Sequence, residues 1–318
     1  MIESETRSSF ELECSPQHYG YMTGISHVKT LTPDELLVEF VRRSRPVIIT
    51  ELGKHWPAIG KWSPSYLSDR FGDVLVHVRG SRFGMKDIGD IPLSEYVDWL
   101  LNARMAGASN GSNSLLAQYH AAHPVKPYVA YDGALPQTEL ALDTGFSSLF
   151  PPGYHPRTTR CWIGPEGAST PLHCDSWGFN IFYQVAGAKR FTLFSPDQTR
   201  FLYTSNIFEF NTLYSRVNIL APDYTRFPRF KDARSVEITL NPGEILVLPR
   251  CWWHDVEALE TSISVNCWIV RDRDKLTASY LLNSLKKAIH NVGLYANDRC
   301  TCHLSPDKQD LGRTLGWY

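Results

Sequence analysis

The sequence lacks any run of about 18 consecutive apolar residues, the length a membrane-crossing helix needs, so no such span is expected. Charge of one sign is also missing. Lys+Arg number 32 against Asp+Glu 33, a formal net charge of -1, and no whole-molecule field exists to gather nucleic acid or an anionic membrane. There is no CxxC pair among the 7 cysteines, and an odd, scattered set fits a reducing compartment, cytosol or nucleus, better than a disulfide framework. Cys300, Cys302 and His303 are packed too tightly in sequence to surround one tetrahedral zinc. The opening residues Met1 to Thr6 are polar and acidic, the reverse of a secretory signal, and the expectation is a soluble protein. Repeats, low-complexity tracts and long Pro/Ser linkers are absent as well, which leaves no seam between domains. What the chain has in quantity is apolar surface: 43% hydrophobic residues over 318 positions, with 9 Trp, 15 Tyr and 15 Phe, enough for a sizeable core.

The texture changes along the chain. Thr32-Pro33-Asp34-Glu35 combines an N-cap, a proline at the first helical position and a capping-box glutamate ahead of Leu36, Leu37, Phe40 and Val41, which predicts an amphipathic helix. Arg45 to Thr50 reads as a buried strand, Ser63-Pro64 opens a second helix that Gly72 closes, Val74, Val76 and Val78 alternate as a strand, and Pro92 to Met105 is a further helix. From about Cys161 the pattern becomes short alternating segments separated by turns. Asn180 to Val185 and Lys189 to Phe194 flank Ala186-Gly187-Ala188 as an expected hairpin, Glu237 to Leu240 and Ile245 to Leu248 flank Asn241-Pro242-Gly243 as another, and Ser262 to Val270 is strand-like. Helical spacing returns after Asp272, with Leu276, Tyr280, Leu281, Leu285 and Ile289 on one stripe suited to packing on the barrel or on a second subunit. The expected fold is mainly β with α elaborations: a double-stranded β-helix, or jelly-roll barrel, with an N-terminal α/β region and C-terminal helices. Residues 1–20 are expected to be flexible, 21–271 to form the main domain with its barrel core at about 160–270, and 272–318 to be a helical segment.

Chemistry enters with His173-Cys174-Asp175. Residues two apart in a strand project from one face, so the imidazole and the carboxylate can grip one ion. Chance alone supplies roughly 0.6 such His-x-Asp triplets in this composition, so the triplet needs company. His254 provides it, following the turn and apolar strand Pro242 to Pro249 and the pair Trp252-Trp253. Two histidines and a carboxylate on one face of an octahedron make the facial triad of non-haem Fe(II) oxygenases, which leaves positions open for a co-substrate and O2. The plainer alternative is a capped histidine beside two core tryptophans.

Thr170-x-x-His173-x-Asp175, Asn180-x-Phe182, Gly187-x-Lys189, Pro242-Gly-Glu244, Pro249, Trp253-His254 and Asn266-x-Trp268, in this order, resemble the JmjC (cupin-like) Fe(II)/2-oxoglutarate oxygenases. Within that family Ser169 to Ser176, Gly178-x-Asn180, Phe201-Leu-Tyr203, Arg226-Phe-Pro-x-Phe230 and Pro249-Arg-x-Trp-Trp-His254 are similar to the branch associated with a small heat-shock protein. The resemblance runs from about Arg45 to Arg271. It implies that His173, Asp175 and His254 bind Fe(II), that Lys189 pairs with the distal carboxylate of 2-oxoglutarate, and that Thr170 donates a hydroxyl to it. Tyr128 resembles the family tyrosine that meets the same carboxylate, with Tyr131 as its rival, and Asn180 and Asn266 resemble polar residues on the co-substrate and O2 side. Phe182 and Trp268 are expected as walls. Four residues rather than three separate Asp175 from Asn180, and Gly178 is suited to a bulge that would absorb the extra one.

The activity implied is hydroxylation of a protein or peptide side chain, with succinate and CO2 formed from 2-oxoglutarate. The same chemistry at an N-methyl carbon would make a lysine or arginine demethylase. A non-catalytic binding partner of a small heat-shock protein, or a cupin holding zinc or manganese, are the competing readings. A homodimer through the C-terminal helix is a further expectation; nucleic acid and membrane partners are not expected.

Overall fold

The computed structural model describes residues 24–81, 87–105, 116, 119, 126–297 and 300. The N-terminal expectations rest on caps, and the caps form. The Thr32 hydroxyl accepts from the Glu35 amide at 3.3 Å while the Glu35 carboxylate accepts from the Thr32 amide at 2.9 Å, closing a capping box. The helix then differs from the expected α form: after one turn, α1 (Pro33–Glu35), it widens into a π-helix over Leu36–Val41 that buries Leu36, Leu37 and Phe40. β1 (Ser26–Val28) precedes that helix, and β2 (Val47–Ile49) and α2 (Pro64–Phe71) follow it, with Ser63 accepting from the Tyr66 amide at 3.1 Å. The sheet extension continues with β3 (Leu75–Gly80), β4 (Asp87–Pro92), α3 (Leu93–Met105) and β5 (Pro127–Asp132).

The remaining strands are β6 (Tyr154–Gly164), β7 (Ser169–Asp175), β8 (Phe179–Ala186), β9 (Lys189–Phe194), β10 (Thr212–Tyr214), β11 (Ser235–Leu240), β12 (Ile245–Pro249), β13 (Trp253–Ala258) and β14 (Ser262–Arg271). They form two sheets, a nine-stranded one in the order β1-β2-β12-β8-β14-β6-β5-β3-β4 and a five-stranded one in the order β10-β7-β13-β9-β11. This is the jelly roll expected from the alternating pattern.

The two expected hairpins are corrected by the pairing. β8 bonds to β12 and β14 in the large sheet while β9 bonds to β11 and β13 in the small one, and β11 and β12 are likewise divided between the sheets. Gly187, at φ 64°, turns the chain from one sheet to the other rather than back on itself. A jelly roll sends successive strands to opposite sheets, and a compact turn signal cannot distinguish that corner from a hairpin. His254 lies near the start of β13, beyond the corner at Arg250 to Trp252 that follows β12. Gly178, at φ 72°, belongs to the turn between β7 and β8 instead of a bulge inside β8, and any Cβ there would collide with the Ile269 carbonyl oxygen.

Strands buried on both faces read as continuous apolar runs. β14 has nine consecutive buried residues, Ser262 to Val270, and it joins β8 to β6 at the middle of the large sheet. Trp252 and Trp253 are fully enclosed on opposite sides of the corner, Trp252 with Ile48, Phe191 and Leu246, Trp253 with Leu172, Cys174 and Phe194. Each such side chain stabilises the fold by ~1.5–3 kcal/mol relative to exposure, so the corner presenting His254 is anchored on two packed layers.

The C-terminal helix α4 (Ala278–Asn291) is capped by Thr277. Asn283 and His290 are buried, the Tyr280 ring lies tilted against Trp177 with centroids 4.7 Å apart, and Leu281, Leu282, Leu285 and Ile289 are exposed. Of the two packings expected for the stripe, on the barrel or on a second subunit, Leu281, Leu285 and Ile289 do not take the first, whereas Tyr280 does. Four of the described cysteines, Cys161, Cys174, Cys267 and Cys300, are free thiols, whereas Cys251 is disulfide-bonded, a departure from a wholly reduced set. Residues 1–20, Cys302 and His303 lie outside the described residues.

Candidate functional site

A cavity of about 710 Å3 opens between the two sheets, lined at its inner part by β7, β8, β9, β13 and β14. In β7, Leu172 and Cys174 point away into a small apolar cluster, which leaves His173 and Asp175 on the cavity side. His173 is the direct cross-strand partner of His254 on β13, and the two imidazole centroids are 4.1 Å apart. Nδ1 of His173 donates to the Pro171 carbonyl at 2.7 Å, and Nδ1 of His254 donates to the Trp252 carbonyl at 3.1 Å. A carbonyl oxygen cannot donate, so these bonds fix the Nδ1–H tautomer and leave Nε2 of each ring as a lone pair. Burial holds the His254 imidazole well below its ordinary value, with the neighbouring His173 adding to the effect, and the ring stays neutral.

Asp175 is held by two donors on one oxygen. Its Oδ2 accepts from Trp268 Nε1 at 2.8 Å and from Asn180 Nδ2 at 3.2 Å. Asn180 is steadied in turn: its Oδ1 accepts from Asn266 Nδ2 at 2.9 Å, and Asn266 Oδ1 accepts from Trp162 Nε1 at 2.6 Å. Asn180 therefore lines the cavity, while Asn266, fully buried, stands one layer behind it. Trp268, expected as a wall, is also a hydrogen-bond donor to the carboxylate. Among the described residues no group of three His, Cys, Asp or Glu side chains is gathered closely enough to hold a metal ion as it stands. The donor chemistry nevertheless suits a ferrous ion: two imidazoles whose Nδ1 atoms are engaged by backbone carbonyls, leaving Nε2 of each for a metal, and a carboxylate whose hydrogen bonds use Oδ2 alone.

Farther in lies Lys189, the first residue of β9 and only 3% exposed. Its Nζ donates to Ser264 Oγ at 2.6 Å and to Tyr128 Oη at 3.2 Å, and Thr170 hydrogen-bonds the same phenol. Burial pulls the ammonium down to about 7 and pushes the Tyr128 hydroxyl above its usual range. A buried cation served only by hydroxyl groups is costly, and the cost is offset when an anion arrives. The cluster thus fits the carboxylate of a dicarboxylic co-substrate.

Two register shifts explain why residues of the wrong parity share this space. Between the pairs His254–His173 and Val256–Thr170, β7 advances three residues against two on β13, so β7 carries an extra residue that turns Thr170 to the cavity side. Between Val129–Ile163 and Asp132–Cys161, β5 likewise carries the extra residue, and Tyr131 takes φ 60° there. The two rival tyrosines are separated by this bulge: Tyr128 is buried beside Lys189, whereas Tyr131 is 44% exposed at the outer part of the cavity.

Ser264, Gln184 and Tyr214 were not anticipated, and all three line the cavity. Tyr214 is the cross-strand partner of His173. Ser264 had a signal: Ser262, Ser264, Asn266 and Trp268 alternate with Ile263, Val265, Cys267 and Ile269, which marks a polar face within an apolar strand.

Residues 33–274 match the family model described as a cupin-like domain. The chain is 33% identical over 267 residues to HSPB1-associated protein 1 of Homo sapiens, covering 79% of this chain and 53% of that protein. It is 30% identical over 227 residues to lysine-specific demethylase 8 of Xenopus tropicalis, covering 70% and 48%. With the bifunctional peptidase and (3S)-lysyl hydroxylase JMJD7 of Homo sapiens it shares 28% over 291 residues, 82% of this chain and 88% of that one. The chain spans about half the length of the HSPB1-associated relatives it matches. With the jelly roll and these matches together, the chain belongs to the cupin-like JmjC family.

Proposed function

We propose that this chain is an Fe(II)- and 2-oxoglutarate-dependent oxygenase that hydroxylates a protein or peptide side chain. The observation that carries the reading is the pairing, within one cavity, of two Nε2 lone pairs beside a carboxylate with a buried lysine that has only hydroxyl partners. His173, Asp175 and His254 would hold the metal; Lys189, Tyr128 and Thr170 would hold the distal carboxylate. When bound, the ferrous ion with 2-oxoglutarate and O2 supplies the oxidation of a C–H bond, coupled to release of succinate and CO2. The backbone carbonyls of Pro171 and Trp252 orient the two imidazoles, and Asn180 and Trp268 hold the carboxylate against rotation. Phe182, edge-on to both His254 and Phe191, narrows the space between the metal end and the lysine and keeps water from filling it.

The test is iron-dependent succinate formation by the full chain, lost in His173→Ala. Mass spectrometry of a turned-over substrate separates the second reading: one added oxygen marks a hydroxylase, loss of a methylene marks an N-methyl demethylase, the activity in the name of one relative. A small heat-shock protein is the partner we propose from the name of another. The outward apolar stripe of α4 supports a homodimer through that helix.

A further inference from the structure

The outer part of the cavity differs in charge from the chain as a whole. Among the described residues Arg79, Arg157, Arg160 and Lys287 line it, against one carboxylate, Glu209, apart from the Asp175 of the metal end. Among the described residues none of the four cations forms an ion pair. Three of the four are held by rings instead: Arg160 lies over Tyr131 at 4.5 Å, while Arg157 and Lys287 lie over Phe210 at 5.1 and 4.4 Å. Two of them also keep a buried donor unused, since Nε of Arg79 and Nε of Arg160 have no hydrogen-bond partner among the described residues. Tyr131, the ring beneath Arg160, is placed by a bulge and a left-handed backbone, a strained combination that re-aims a side chain. The ring also meets Trp268 edge-on at 5.6 Å, and Trp268 donates to Asp175, so this shelf is continuous with the metal end.

Cations stacked on aromatic faces and lacking carboxylate partners are arranged for an anionic ligand. We propose that the outer cavity selects a peptide segment bearing Asp or Glu side chains next to the residue that is oxidised. The proposal deepens the oxygenase reading and rests on it for the word oxidised; the charge selection does not depend on turnover. Arg157 and Lys287, both exposed, meet the carboxylates first, and the partly buried Arg79 and Arg160 fix the segment against the Tyr131 shelf.

The full chain, loaded with iron and 2-oxoglutarate without oxygen, is titrated against labelled glycine-serine peptides carrying Asp and Glu, their Asn and Gln twins, or Lys. Fluorescence anisotropy is expected to show the acidic peptide binding about tenfold tighter than its amide twin, with the gap closing at high salt. Arg157→Glu and Lys287→Glu, surface changes checked by thermal melting, are expected to remove the gap. Equal binding of acidic and amide peptides, preference for the Lys peptide, a retained gap in the folded double variant, or a single-stranded oligonucleotide that outcompetes the acidic peptide would each overturn the proposal. Succinate formation by the parent chain separates the two readings. A peptide preference without succinate sinks the oxygenase and leaves the charge selection standing; succinate without a preference does the reverse.

Discussion

The two ends of the cavity carry the same kind of charge and use it differently. At the inner end Lys189 is enclosed, its ammonium pulled down to about 7 by burial, and its partners are two hydroxyls fixed on two strands, Tyr128 on β5 and Ser264 on β14. At the outer end Arg157 and Lys287 are exposed and rest on an aromatic ring. Low dielectric makes each interaction at the inner end large and unforgiving, whereas water and salt reduce those at the outer end to steering and selection. On the proposed reading, the rigid site would anchor the co-substrate and the softer site would read the substrate.

Breaking the metal end should have the largest effect. His254→Ala removes a buried ligand and is expected to abolish iron-dependent succinate formation, by more than about 100-fold, measured against the parent at equal loading. Lys189→Met, similar in length but uncharged, should weaken 2-oxoglutarate binding by about 100-fold or more, because breaking a desolvated charge pair costs ~3–5 kcal/mol. Binding titrations check this directly.

The inner end should also show itself in pH. The folded value near 7 lies below the ordinary 10.5 of lysine, so between these values the unfolded chain carries the extra proton. Stability therefore gains from Lys189 as pH rises from about 7 towards 10.5, and the burial penalty is greatest below 7. Affinity for an unreactive 2-oxoglutarate analogue moves the other way, falling as pH rises through about 7 in the parent. In Lys189→Met that component of the profile should be flat, which a pH series of binding titrations would reveal.

Smaller effects are expected one layer out. Asn180→Ala leaves Asp175 with Trp268 as its donor and should cost about 10-fold in iron affinity, read by competition with a chelator. Smallest is Leu285→Glu on α4: the residue is 57% exposed, so folding stability should shift by no more than about 0.5 kcal/mol, while sedimentation should show the loss of a dimer if the outward stripe forms one.

Much of the site was legible because the chemistry demands particular residue types at particular spacings. His173-x-Asp175 needs only strand parity, and the corner before His254 is marked by Pro249 and two tryptophans. Parity failed where the backbone adds a residue. Nothing in Thr170-Pro171-Leu172 announces the bulge that brings Thr170 and His173 to one side, and nothing in Ala130-Tyr131 announces the left-handed turn that separates Tyr131 from Tyr128. Gly187 and Pro242-Gly243 were turn signals of the right strength, but a turn says that the chain reverses and not which sheet receives it. The orientation of α4 was open for a related reason: helical spacing identifies an apolar face, and only the neighbouring Trp177 and Phe208, against Tyr280 and His290, decide which side of the helix meets the barrel.

The central claim is that two imidazoles and a carboxylate in this cavity share a ferrous ion with a chelating keto acid. Adding ferrous iron and 2-oxoglutarate to the full chain without oxygen, and recording the visible charge-transfer absorbance of the chelate, tests it most directly. The account predicts a saturable band in the parent chain that His254→Ala lacks; a parent chain that binds neither iron nor keto acid, or a band unchanged in His254→Ala, would contradict it.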